Sequence, residues 1–204
     1  MALNTPVLAR RMALAFSCSL LLAGASAFAQ SQSQSPAAAA PRVKLATSAG
    51  SIVVELAPDK APKTVQNFLT YVKDKHYDGT VFHRVIDGFM IQGGGYTAEL
   101  TQKPTRDAIA LEAGNGLKND TYTIAMARTG NPNSATSQFF INVKNNDMLN
   151  APNPDGYGYT VFGKVVAGQD VVDKIRAVPT ANKGGMQNVP LSPVIIQSAT
   201  VVAK

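Results

Sequence analysis

Apolar and polar residues alternate over two neighbouring stretches: Val43, Leu45 and Thr47, then Ile52, Val54 and Leu56. Period two puts each set on one face of a strand. Ser48-Ala49-Gly50-Ser51 separates the two, so the pair predicts a β-hairpin. The period changes between Pro58 and Asp74. Val65, Phe68, Leu69 and Val72 fall at i, i+3, i+4 and i+7, one face of a helix, and Pro62 suits its first turn. Short strands are predicted over 81–86, 89–92, 122–127, 138–143 and 160–165, divided by Gly, Asn, Asp and Pro. A second helix is predicted over 170–178, with Val171, Val172, Ile175 and Val178 apolar, and a last strand over 194–202. Residues 97–121 are long and polar, a surface excursion that helps shape a site. Many strands with one early and one late helix imply a mostly antiparallel barrel or sandwich capped by helices, not alternating βαβ units.

The start of the chain reads differently. Arg10 and Arg11 precede an apolar run, Met12 to Ala23, and Ala27-Phe28-Ala29 has the small-x-small form of a cleavage site. Residues 1–29 are therefore expected to be a secretory signal peptide, since the run is too short for a stop-transfer helix. The Arg pair leaves Sec and twin-arginine export both open. Ala15-Phe16-Ser17 before Cys18 makes a poor lipidation motif. Residues 30–41 (QSQSQSPAAAAP) hold no large apolar side chain and read as a flexible linker. The domain is expected over 42–204. Cleavage would remove Cys18, the one cysteine, and lower the formal charge from +6 to +4. A thiol-free chain suits an oxidising compartment. The expected location is the periplasm, with no stable membrane association after cleavage. A charge of +4 without a basic stripe gives no footprint for nucleic acid.

Much chemistry is excluded by what is missing. No disulfide scaffold or thiolate zinc site can be built from one Cys, and His76 and His83 do not make a His-rich metal centre. Gly93-Gly94-Gly95 lacks the Lys-Ser/Thr ending of a phosphate loop, and no GxGxxG opens a helix. No metal and no cofactor are expected. What remains is Val81 to Ile86, where alternation puts Phe82, Arg84 and Ile86 on one face and Val81, His83 and Val85 on the other. Spacing alone favours Arg84 as a solvated wall residue with an ion-pair partner. His83 then reads as a satisfied core histidine facing away from Arg84. Phe139 and Phe140 are adjacent on one strand, so one packs inside and the other is exposed or lines a pocket.

The segments FHRVIDGFMIQGG (82–94), AMARTGNPNSATSQFFINV (125–143) and VFGKVV (161–166) resemble the cyclophilin family of peptidyl-prolyl cis–trans isomerases. The likeness spans roughly residues 42–203 and, with the leader, is nearest to periplasmic bacterial members. It implies a closed eight-stranded antiparallel β-barrel capped by two α-helices. It also implies isomerisation of Xaa-Pro bonds in proline-containing segments of unfolded or partly folded exported proteins. Arg84 is implied as the catalytic guanidinium, and Gln92 as its companion that hydrogen-bonds substrate backbone. Phe89, Met90, Phe140 and Leu149 are implied to hold the proline ring. Ala127 and Gln138 line the groove, and the Arg128 backbone pairs with the peptide. Met148 stands where eukaryotic members usually have Trp, and Tyr159 where many have His; both would contact substrate. Cyclosporin-type ligands are expected to bind weakly, and the protein is expected to be a monomer. The alternative is a peptide-binding chaperone whose isomerase activity is incidental, since one groove serves both roles. A plain barrel ligand carrier would require a large internal cavity.

Overall fold

A computed structural model describes residues 40–202. The expected signal peptide, and the expected linker up to residue 39, lie outside the described residues. Strands β1 (Arg42–Thr47) and β2 (Gly50–Leu56) form the predicted hairpin, from Arg42 opposite Glu55 to Thr47 opposite Gly50. Helix α1 (Pro62–Lys73) follows, burying Val65, Phe68 and Val72 as its period requires. Pro62 occupies its first turn, but its flanking residue Ala61 offers no side-chain cap. The missing acceptor comes from the polar excursion instead. Glu112 accepts from the amides of Lys63 (3.1 Å) and Thr64 (2.9 Å) and from the Thr64 hydroxyl (2.7 Å). A carboxylate at a helix N-terminus satisfies orphan amides and complements the dipole.

Strands β3 (Thr80–Ile86), β4 (Met90–Thr97), β5 (Thr123–Met126) and β6 (Phe139–Asn142) come next, then a 3₁₀ turn at Asp147–Leu149. Strand β7 (Val161–Ala167), helix α2 (Gln169–Arg176), strands β8 (Thr180–Lys183) and β9 (Met186–Pro190), and strand β10 (Ile195–Val202) complete the described chain. Eight strands close into an antiparallel barrel in the order β1-β10-β3-β4-β6-β5-β7-β2, while β8 and β9 stand apart as a hairpin. Closure removes exposed sheet edges and resolves the barrel-or-sandwich alternative.

The barrel interior is filled. Phe139 meets Phe68, Tyr77 and Phe82 edge-on, with ring centroids 5.7, 5.5 and 6.2 Å apart. All four are fully buried, and edge-to-face geometry is the favoured contact for such rings. A ligand carrier needs an empty interior, so that reading falls. Strand β4 runs past its predicted end because glycine lets neighbours close in. A Cβ on Gly95 would stand 2.5 Å from the Gln138 side chain, and one on Gly94, at φ +83°, 2.9 Å from the Tyr77 and Phe139 rings.

One predicted face assignment is overturned. Phe82 and Val85, three residues apart, both join the interior. The register between β3 and β4 shifts on either side of Phe82, so that Phe82 pairs with Gly93 but Arg84 with Gln92. A β-bulge thus sets two residues, His83 and Arg84, against one on the partner strand and breaks strict alternation. His83 lies beside Arg84, both lining one hollow on the barrel's outer side, rather than facing the opposite way.

Candidate functional site

The bulge aims Arg84 at a row that crosses the outer face of the barrel. Arg84 pairs with Gln92, Gln92 with Phe140, Phe140 with Ala125 and Ala125 with Val161. Phe140 turns outward as its neighbour Phe139 turns inward, the division expected for adjacent strand residues. A second, smaller apolar cluster grows on this outer face from Met90, Ala125, Phe140, Leu149 and Val161, with Phe89, Ala127 and Tyr159 packed against it.

A hollow of about 120 Å³ opens at the edge of that cluster. Phe89, Met90, Phe140 and Leu149 supply its apolar wall, Ala127, Arg128 and Tyr159 another, and Arg84 and Gln92 its polar side. The sequence pattern therefore brings nine of its eleven named residues to one slot. Gln138 does not line the slot but accepts a hydrogen bond from Gln92 Nε2 at 3.0 Å and lines the two hollows on either side. Met148 is outside the lining; it sits in the 3₁₀ turn at 57% exposure. The Arg84 side chain makes no hydrogen bond or ion pair among the described residues, so the structural partner that spacing favoured is not there. A guanidinium with free N–H groups beside an apolar slot can donate to a group seated in that slot.

Arg128 plays a part that its sequence position did not reveal. Its side chain is 1% exposed. The guanidinium donates to Gly158 O through Nε (3.0 Å) and Nη2 (2.8 Å), to Thr129 O through Nη1 (2.9 Å), and to Asp155 Oδ1 at 2.8 Å. It lies 4.4 Å over the Tyr159 ring, whose edge meets Phe140. A desolvated cation over an aromatic face is held firmly, so this side chain builds the slot from behind. The hydrogen bond from Arg128 lowers the Asp155 carboxyl below its ordinary pKa.

His83 is 5% exposed, rests against Tyr96 at 4.7 Å, and leaves Nδ1 without a partner among the described residues. It is buried as expected but is not satisfied. Burial, opposed by a backbone contact at Val81 and aided by the Arg84 charge, lowers its pKa to about 4. The imidazole is thus neutral at physiological pH and adds no second charge beside Arg84. A larger hollow of about 400 Å³, lined in part by Leu56, Leu117, Lys118, Val161 and Lys164, shares none of the slot's residues. Among the described residues no three His, Cys, Asp or Glu side chains are grouped to hold a metal ion, and no helix is long and apolar enough to cross a membrane.

The closed barrel and the motifs that line its outer slot have counterparts among known proteins. Residues 42–201 match the family model for cyclophilin type peptidyl-prolyl cis-trans isomerase/CLD. The chain is 59% identical to peptidyl-prolyl cis-trans isomerase cyp18 of Streptomyces antibioticus over 162 residues, 78% of this chain and 98% of that protein. It is 54% identical to peptidyl-prolyl cis-trans isomerase B of Escherichia coli K12, covering 78% of this chain and 98% of the relative. The crystal structure of a Cryptosporidium parvum cyclophilin type isomerase superposes with a TM-score of 0.67 at 28% identity, over 81% of this chain and 99% of that one. The chain belongs to the cyclophilin family and is a peptidyl-prolyl cis–trans isomerase.

Proposed function

We propose that this enzyme accelerates Xaa-Pro isomerisation in exported proteins, with Arg84 stabilising the twisted amide. Resonance holds the planar amide behind a barrier of ~18–20 kcal/mol. Twisting removes that resonance, and the proline nitrogen gains a lone pair that accepts a hydrogen bond. Arg84 donates to it, or polarises the preceding carbonyl, in a contact that strengthens as the bond turns. Better binding of the transition state than of the ground state is what catalysis requires. The slot seats the proline ring and excludes water, while Gln92, Gln138, Ala127 and the Arg128 backbone hold the flanking peptide. A gain of ~10⁵ in rate corresponds to about 7 kcal/mol, within reach of one charge-assisted donor plus orientation. The reaction needs no proton transfer, covalent intermediate, metal or cofactor.

The observation that carries this reading is the unpaired Arg84 at the edge of the slot. Its substrates are proline-containing segments of unfolded or partly folded proteins. The leader-like segment 1–29 supports an exported, periplasmic enzyme. The mass of the mature protein from a periplasmic extract should correspond to a chain beginning at Gln30; an uncleaved chain in the cytoplasm contradicts it. The chaperone alternative is separated by Arg84→Ala. That variant should lose isomerase activity and fail to complement a deletion strain; a variant that loses isomerase activity yet still complements, or still suppresses client aggregation, would assign the function to peptide binding.

A further inference from the structure

Behind the slot lie three buried asparagines. Alternation along β6 puts Asn142 on the same outer face as Phe140, opposite Met90 of β4. An outward carboxamide is ordinarily solvated, yet Asn142 is 0% exposed, as is Asn146, and Asn119 is 1% exposed. Their side chains run head to tail. Asn146 Nδ2 donates to Asn142 Oδ1 at 2.7 Å, and Asn142 Nδ2 donates to Asn119 Oδ1 at 3.2 Å and to Thr123 Oγ1 at 2.9 Å. The two ends of this chain reach the slot. Asn146 Nδ2 donates to Phe89 O at 2.8 Å. Asn119 Nδ2 donates to Leu149 O at 3.2 Å, lies 3.5 Å from Tyr159 O, and donates to Asn150 Oδ1 at 3.1 Å.

The backbone carbonyls among these acceptors belong to three slot residues that lie outside the barrel strands. Arg84, Met90, Gln92 and Phe140 sit in strands and are placed by the ladder. Phe89 lies in the turn before β4, Leu149 in the 3₁₀ turn and Tyr159 in the loop before β7. We propose that Asn119, Asn142 and Asn146 are positioning residues that set Phe89 against Leu149 and Tyr159 and so fix the width of the slot. The inference rests on the reading of the slot as the proline site. Asparagine suits the task because its short, planar carboxamide both donates and accepts. A buried network whose carboxamides are paired at every atom but one is directional and favours one arrangement, whereas a purely apolar filler would tolerate several. Within the trio, Asn146 Oδ1 has no partner among the described residues, so its donors alone orient that side chain.

Asn146→Ala tests the Phe89 end. It leaves Phe89 O with the Val143 amide as donor at 3.1 Å, so no backbone group is orphaned. KM for an Xaa-Pro peptide should rise about three- to tenfold, with kcat changed by less than about twofold. In a Phe89→Ala background the same substitution should add almost nothing, whereas with Gln92→Ala the two losses should multiply. Asn119→Ser should repeat this pattern with Leu149→Ala. Unchanged KM in a folded Asn146→Ala variant, or full multiplication with Phe89→Ala, overturns the inference. If Phe89→Ala alone leaves KM unchanged, the slot reading itself fails. Nuclear magnetic resonance on the wild type stands even if the variants do not fold. The Asn119 and Asn146 side-chain amide signals should shift on saturation with an Xaa-Pro peptide, and fixed signals contradict the proposal.

Discussion

The inner and outer faces of β4, β5 and β6 differ in how their side chains are held. Inside, Ile91, Ile141 and Ile124 pair across the three strands, and Gly93, Phe139 and Met126 form the next row. All five side chains belong to the interior cluster. Apolar contact and close packing suffice there, and nothing needs an outside brace. Outside, Gln92, Phe140 and Ala125 are followed by Met90, Asn142 and Thr123, a mixture of apolar and polar groups. This face becomes a site only because loops fold over it and are pinned by hydrogen bonds, from Asn146 to Phe89 and from Arg128 to Gly158. One face is fixed by packing alone and the other by packing plus directed donors. The first should answer to volume and the second to hydrogen-bonding chemistry.

Truncation should break this contrast most sharply at the adjacent phenylalanines. Phe139→Ala should cost about 3–5 kcal/mol of stability, measured by urea unfolding, because it empties the middle of the interior ring cluster. Next in size is an acid effect confined to the outer face. The His83 pKa of about 4 lies below its ordinary 6.5, so the unfolded chain binds the extra proton first. Stability is therefore complete above pH 6.5 and is lost as pH falls from 6.5 towards 4, by up to about 3 kcal/mol. His83→Phe should remove that portion of the acid sensitivity, and unfolding curves at pH 7 and pH 4 measure it. Because the imidazole stays neutral, kcat/KM should be nearly flat across neutral pH; a bell centred on a histidine pKa would oppose the mechanism. Phe140→Ala should act mainly on binding, raising KM on the order of tenfold by removing a wall of the slot. The smallest effect is expected at Met148, which adds apolar surface but no N–H donor. Met148→Trp should tighten a cyclosporin-type ligand by about fivefold if the indole finds an acceptor. Its 57% exposure keeps the change away from the core, and a calorimetric titration reads it.

The physical reasons for what the sequence revealed are uneven. The β1–β2 hairpin and both helices were legible because their apolar periods are long and uninterrupted. Closure into a barrel was not, since alternation describes one strand at a time and says nothing of which strands meet. Family likeness supplied that step. The faces of β3 were misread because a bulge leaves no mark in the apolar pattern of Val81 to Ile86. The β8–β9 hairpin went unread although Gly184-Gly185, both at positive φ, is a strong signal for a tight turn. Its strands, TANK and MQNVP, carry too few apolar residues to suggest pairing. Asn119 and Asn146 were invisible for another reason. Asparagine in a polar stretch reads as solvated loop, and only the fold of neighbouring segments buries it. The nine residues that line the slot were named through ordered motifs, whereas the outward aim of Arg84 and the inward turn of the Arg128 side chain required coordinates.

In the proposed mechanism one free guanidinium at the slot supplies most of the catalysis. The direct measurement is kcat/KM for an Xaa-Pro peptide in a protease-coupled assay of wild type, Arg84→Ala and Arg84→Lys, with unfolding midpoints taken alongside. A fall on the order of a hundredfold or more is expected for Arg84→Ala with the fold intact, and little recovery in Arg84→Lys, since an ammonium lacks the planar fork. Activity within about twofold of wild type in folded Arg84→Ala would contradict that mechanism.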